Sequence, residues 1–213
     1  EKVLALGLDT WFHPTVDVQR SGKSDLYAFD GKSKYDVIFP GDLLHCDFGI
    51  SYLTLNTDCQ ELAYVLKPGE TKAPRFLEEA LAQGNAVQDH LTQNYKKGTT
   101  GNAILKQAIA DSKAAGLRPQ IYTHPLGLYG HSAGTTIGMW DAQDGVPGSG
   151  DHPLQEETVY AIELNAKVFI PEWEKDVRVM LEEAGYFGAD GFRYVNGRQT
   201  EYILIGNKRS HLK

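Results

Sequence analysis

The sequence predicts an α+β fold in one domain spanning residues 1–213. Three observations carry this. A run rich in β-formers, "DLLHCDFGISYLTLNTDCQELAYVL", comes first. Two stretches with helical apolar spacing follow. From "TVYAIELNAKVFI" onward the pattern returns to strands. Strands, then two helices, then strands describe helices packed on one side of a sheet.

The first run reads as strand, short turn, strand. In "RFLEEALAQGNAVQDHLTQNY", Phe76, Ala80, Val87 and Leu91 recur at helical spacing, and Gly84 weakens that helix without breaking it. "TGNAILKQAIADSKAAG" is the cleaner helix. It sets Ile104, Leu105, Ile109 and Ala114 on one side, with Thr100 as cap and Gly116 as stop. Turn signals at "RSGKSD", "DGKSKYD", "KPGETKAP", "KKGTTG" and "DGVPGSGDHP" divide the chain. No internal repeat or low-complexity segment interrupts it.

Composition narrows the function classes. The apolar share is 41%, ordinary for a globular protein, and the formal charge is −7. Carboxylates outnumber Lys and Arg by 28 to 21, which argues against a basic nucleic-acid surface. No apolar run approaches membrane-spanning length, and "EKVLALGLDT" lacks a signal-peptide layout. The first residue is Glu1, so processing or excision is compatible with the sequence and the compartment stays open. Two cysteines are too few for a disulfide framework.

The charged residues inside apolar runs are the candidates for chemistry. Asp47 and Asp58 sit on the two halves of the predicted hairpin. If they face each other, both carboxylates share one side, a repulsive arrangement that a divalent cation relieves. Two solvent-facing aspartates on an edge hairpin are the plainer reading of that pair alone. Glu163 in "VYAIELN" and Glu182 in "VRVMLEEA" lie in strand-like apolar runs, where a lone charge is rarely buried without a partner. In "THPLGLYGHSAG", His124 and His131 flank Gly127. With Asp47 opposite Asp58, Cys46 falls opposite Cys59 on the far side of the sheet, either bridged or as two buried thiols.

The series "HCDFG", Asp58, "HPLGLYGH", "AIELN" and "VRVMLEE" resembles the pita-bread metallopeptidases, which include methionine aminopeptidase, aminopeptidase P and prolidase. The likeness runs from about Trp11 to about Gly191. It implies a curved antiparallel sheet backed by helices, with a metal site in the central cleft. It further implies that Asp47, Asp58, His124, Glu163 and Glu182 bind two divalent ions, for which manganese, cobalt and zinc all suit the donors. His131 would reach the substrate, and Glu163 would accept the proton of the attacking water. Gly127 would let the chain pass close to the cleft. The reaction implied is hydrolysis of a peptide bond near the N-terminus, most closely the Xaa-Pro type. A weakly active or inactive peptide-binding module on the same fold is the alternative. Longer relatives carry an extra N-terminal domain. Homo-oligomerisation is left open.

Several positions depart from the family pattern. Leu164 and Asn165 stand where Pro-Gly is usual. The fifth ligand usually follows an Arg by two residues, but Met180 holds that offset from Arg178 and Glu182 lies two further on. Strand alternation keeps Arg178, Met180 and Glu182 on one face and turns Glu183 away, while Glu201 competes for the fifth place. An alignment through "GHSAG" would make His131 the ligand and leave Gly138 in the second histidine's place. The histidine usual before the first Asp is absent near Phe29 and Asp30, and His13 could replace it only if the fold brings it back.

Overall fold

The computed structural model describes residues 2–22 and 37–206. The turn signal "DGKSKYD" and the positions near Phe29 and Asp30 lie outside them. In chain order the elements are α1 (Lys2–Ala5), β1 (Asp9–Thr10), β2 (Thr15–Gln19), β3 (Leu43–Phe48), β4 (Ile50–Tyr52), β5 (Leu55–Asn56) and β6 (Cys59–Val65). The helices α2 (Arg75–Thr92) and α3 (Gly101–Ala114) come next. Then follow β7 (Pro119–Ile121), β8 (His124–Leu126), β9 (Thr158–Ile170), β10 (Lys175–Gly188), β11 (Gly191–Tyr194) and β12 (Ile203–Ile205). The layout is the α+β one expected.

One large sheet runs β2-β3-β6-β10-β9-β7, with β8 on β9, β11 on β10 and β12 on β6. Every pairing in it is antiparallel except β12 with β6. Strand alternation divides its centre cleanly. Ile162, Leu164, Ala166 and Val168 of β9 and Val177, Val179 and Leu181 of β10 join the core with α2 and α3. Glu163 and Glu182, opposite each other in the register, take the other face.

The helices follow their sequence signals, with faces slightly rotated. Thr100 caps α3 by accepting from the Ala103 amide at 3.2 Å, and Gly116 ends it at a φ of +76°. The face of α3 that is buried includes Ile104, Leu105, Ala108 and Ser112, while Ala114 is exposed. On α2, Leu77 is fully buried and Phe76 only partly, because the sheet lies against the next stripe round the helix. Gly84 sets how close α2 can approach. A Cβ there would stand 2.7 Å from Val179 Cγ1 and 3.0 Å from Leu181 Cδ1.

The hairpin register differs from expectation. Asp47 pairs with Gln60, Phe48 with Cys59 and Cys46 with Glu61, so neither Asp47–Asp58 nor Cys46–Cys59 is a facing pair. The cause is the turn. Tyr52 pairs with Leu55, and Leu53, at a φ of +57°, opens a two-residue turn one position later than a symmetric fold about Asp47 and Asp58 requires. Each partner therefore moves by two residues, which preserves the faces. Asp58 stays on the side of Asp47, diagonal to it. Both cysteines are free, and Cys59 Sγ donates to the Phe48 carbonyl oxygen at 3.3 Å.

Between β6 and β10 the described residues form one register pair, Gln60 with Glu182. Beyond that pair, towards Leu62 and Arg178, side-chain amides bond the strand backbones instead. Gln199 accepts from the Leu62 amide and donates to its carbonyl, both at 2.8 Å. Gln19 does the same for Arg178, again at 2.8 Å.

Replacing Gly84 with Ala should lower stability by about 1–3 kcal/mol through overpacking against Val179. That exceeds the helix-propensity gain of about 1 kcal/mol. Urea denaturation measures the balance, and a stabilised variant would show that α2 can move off the sheet.

Candidate metal centre

Four strands of the large sheet bring one residue each into a row on the cleft face. The order is Asp47 on β3, Gln60 on β6, Glu182 on β10 and Glu163 on β9. Asp58 precedes β6 and shares Gln60's side. His124 lies on β8, where it pairs with Ala161, two residues from Glu163. All five candidate ligands therefore converge. Ligand atoms of Asp47, Asp58 and Glu182 lie within 4.8 Å of one another, as do those of His124, Glu163 and Glu182. His124 Nε2 stands 3.7 Å from Glu163 Oε2, 3.7 Å from Glu182 Oε1 and 4.0 Å from Asp58 Oδ2.

The hydrogen-bond inventory suits a cation. His124 Nδ1 donates to the Pro125 carbonyl oxygen at 3.2 Å, which leaves Nε2 to face the carboxylates. Nε2 of His124, Oδ1 of Asp47 and Oε1 of Glu182 are all buried without a hydrogen-bond partner. Buried polar atoms are rarely left so. These three orphans belong to two donor groups that share Glu182, and their hard oxygen and imidazole donors fit divalent ions.

The electrostatics agree. Burial, ahead of the neighbouring carboxylates, pushes the Asp47 carboxyl up to about 6. Burial and then Asp47 push Asp58 up to about 8. Burial followed by Glu163, Asp58 and Asp47 holds Glu182 well above the usual carboxylate range, with a hydrogen bond from Gln60 working the other way.

Aromatic groups wall the mouth. His131 is exposed there, its ring 4.3 Å from that of His124, 5.7 Å from Tyr122 and 5.8 Å from Trp11. The Tyr122 hydroxyl lies 3.4 Å from His131 Nδ1. His131 joins Asp58 and His124 in a potential donor set, but among the described residues no such set links it to Glu163 or Glu182. Further along, Tyr122 packs on Trp140 and Arg178 lies over the Trp140 ring. The Trp140 carbonyl accepts from Gln120 at 2.7 Å.

The remaining sequence candidates fall elsewhere. Glu201 is exposed and lines a different pocket with Lys72 and Glu78. Glu183 points to the opposite face and accepts from the Gln199 amide at 2.7 Å. His13 is exposed, its Nδ1 3.0 Å from the Pro14 carbonyl oxygen, and is not among the gathered residues. From that segment Trp11 comes to the cleft instead, donating to the Thr57 carbonyl at 2.7 Å. A Cβ at Gly127 would make only an ordinary 3.6 Å contact, whereas one at Gly130 would collide with the Trp11 ring. The close approach belongs to Gly130. Gln60, Tyr122 and Trp11 escaped the sequence reading. Gln60 and Tyr122 each sit two residues from a candidate ligand, so strand alternation alone points to them, whereas Trp11 has no local signal.

Among the described residues no helix is long and apolar enough to cross a membrane. The family model "Metallopeptidase family M24" matches residues 4–193. Among curated proteins no match is found. Solved structures share the fold at low identity. An X-Pro aminopeptidase from Thermotoga maritima is 20% identical with a TM-score of 0.63, over 92% of this chain and 51% of that one. A dipeptidase from Pyrococcus horikoshii is 17% identical with a TM-score of 0.64, over 91% and 48%. The N-terminal domain of FACT complex subunit SPT16 from Eremothecium gossypii is 14% identical with a TM-score of 0.65, over 93% and 43%. The chain thus spans about half the length of these structures or less.

The raised carboxyls give the metal-free protein a testable pH response. A carboxyl whose folded pKa is raised stabilises the fold in its protonated form. That contribution is complete below about pH 4, the unfolded value. It is lost as pH rises through about 6 for Asp47 and about 8 for Asp58. Chelator-treated protein should therefore melt higher at about pH 5.5 than at about pH 8.5, and divalent ions at the higher pH should close most of the gap. A metal-free melting temperature that rises across this window contradicts the electrostatic picture.

Proposed function

The chain belongs to metallopeptidase family M24, and from that footing we propose that residues 1–213 form one catalytic domain, a metal-dependent exopeptidase. It cleaves a peptide near its N-terminus, with an Xaa-Pro bond as the preferred substrate. The observation that carries this is the convergence of Asp47, Asp58, His124, Glu163 and Glu182 around three orphaned buried ligand atoms. The Xaa-Pro preference draws on "HPLGLYGH" and on the likeness to an X-Pro aminopeptidase and a dipeptidase.

These five side chains would hold two divalent ions, manganese, cobalt or zinc, which supply Lewis acidity and a water of near-neutral pKa. The protein's own groups do the rest. Glu163 has one oxygen engaged by Gln60 and the other turned to the cluster, where it can take the proton of an attacking water. Burial, then the neighbouring His124, lowers the pKa of His131. At neutral pH its uncharged ring keeps one N–H, a donor for the developing oxyanion or the leaving amine. Tyr122 and Trp11 hold that ring at the mouth. Trp140 and Tyr122 offer an apolar surface on which a proline ring can pack.

A second reading, a peptide-binding module without turnover, is favoured by one observation. A chain described as a FACT complex subunit shares this fold as closely as those described as peptidases. The ligand set weighs against it, since peptide binding alone gives no reason to gather four carboxylates, three of them buried. Hydrolysis of Xaa-Pro peptides by metal-loaded protein separates the two.

Site variants assign the roles. Asp58→Ala should lose both metal and turnover. His124→Ala should also lose metal. His131→Ala should keep metal and lose rate by about 10²-fold or more. Metal analysis alongside peptide hydrolysis reads all three. The reverse metal contents in the two histidine variants would make His131 the ligand.

A further inference from the structure

A buried chain of side chains enters the site from the sheet edge and ends on Glu163, and its outer members have no role above. Asp17 and His45 are cross-strand partners on β2 and β3, with His45 Nδ1 3.6 Å from Asp17 Oδ2. His45 Nε2 lies 2.8 Å from Gln60 Oε1. Gln60 Nε2 donates to Glu163 Oε1 at 2.6 Å. Asp17, His45 and Gln60 are 6%, 5% and 3% exposed, so water does not compete for these contacts.

The donor inventory gives this chain one direction. An ionised carboxylate only accepts, so Gln60 must turn its NH₂ to Glu163 and its carbonyl to His45. His45 must then carry a proton on Nε2, while its Nδ1 makes no hydrogen bond among the described residues, Asp17 Oδ2 lying 3.6 Å away. Flipping the amide would set oxygen against carboxylate oxygen. Glu163 is left with Oε1 capped and only Oε2 turned towards His124 Nε2, 3.7 Å away. Gln60 also stands in the row between Asp47 and Glu182, a place where a fifth carboxylate would add repulsion.

We infer that Gln60, oriented by His45, is a positioning residue that fixes Glu163 so that it presents a single oxygen to the metal ions. This rests on the metallopeptidase reading above. If Gln60 merely filled space, its loss would cost stability alone. As a positioning residue it governs metal affinity and turnover through Glu163, as partners of metal ligands do.

The test uses the full chain as wild type, Gln60→Met, His45→Phe and the double variant. Each is stripped with chelator and titrated calorimetrically with Mn²⁺, with folding checked by thermal melts. Xaa-Pro peptide kinetics follow on the loaded proteins. Gln60→Met should bind Mn²⁺ about 10- to 100-fold more weakly. Its kcat should fall while KM stays within about twofold. Because the residues act in series, the double variant should bind no worse than Gln60→Met. Wild-type affinity in folded Gln60→Met, or additive losses, overturns the inference. If Gln60→Met does not fold, His45→Phe carries the same test, because Gln60 still fills its place. A wild type that binds neither Mn²⁺, Co²⁺ nor Zn²⁺ overturns the metallopeptidase reading and this inference together. A wild type that binds while the folded variants bind equally well overturns this inference alone.

Discussion

Repulsion among buried carboxylates is the constraint on which the rest of this structure depends. Asp58, Glu163 and Glu182 stand buried around the His124 imidazole, and the half-buried Asp47 joins Asp58 and Glu182 beside it. Two unit charges 4 Å apart interact by about 4 kcal/mol at an effective dielectric of 20. A whole domain is stable by only about 5–15 kcal/mol. A few unrelieved pairs therefore rival the entire folding free energy. Protons relieve them in part, at the expense of the carboxylates as ligands. Divalent cations relieve them fully and keep them ionised.

The scaffold must hold these groups together against that repulsion. It does so by using both faces of β9 and β10. Ile162, Leu164, Val179 and Leu181 anchor the strands to α2 and α3, so Glu163 and Glu182 cannot turn away without exposing the core. Packing on one face sets the chemistry on the other. Gly84 contributes from a distance, since it lets α2 lie close enough to keep β10 in place.

Much of this was legible in the sequence, for identifiable reasons. Regular alternation in "VYAIELNAKVFI" and "VRVMLEEA" marks the faces, and the Thr100 and Gly116 signals bound α3 well because capping is local chemistry. The hairpin register was not legible, because it depends on Leu53 adopting a left-handed conformation that a leucine does not advertise. The five candidate ligands came from the family resemblance, supported by their order and shared faces, and their convergence survived the register change because a shift of two residues preserves parity. Trp11 was invisible for a different reason. It meets His131 across more than a hundred residues, through glycines at 49 and 130 whose role appears only once the ring is seen against them.

The sheet's one-pair seam has a mechanical meaning. Strands β2, β3 and β6 form one half and β10, β9 and β7 the other, joined in the ladder at Gln60 and Glu182. Asp47 and Asp58 belong to the first half, and His124, Glu163 and Glu182 to the second. Neither half holds a complete set of donors. On one side of the joint, Gln19 of the first half bonds the Arg178 backbone of the second, and Gln199 links Leu62 of β6 to the Glu183 carboxylate of β10, so these amides act as struts across the gap. The centre therefore sits at a pivot, where a small change in the angle between the halves alters the spacing between the two groups of donors while leaving each group intact. Shortening or lengthening a strut would retune that spacing as a screw adjusts the jaws of a vice.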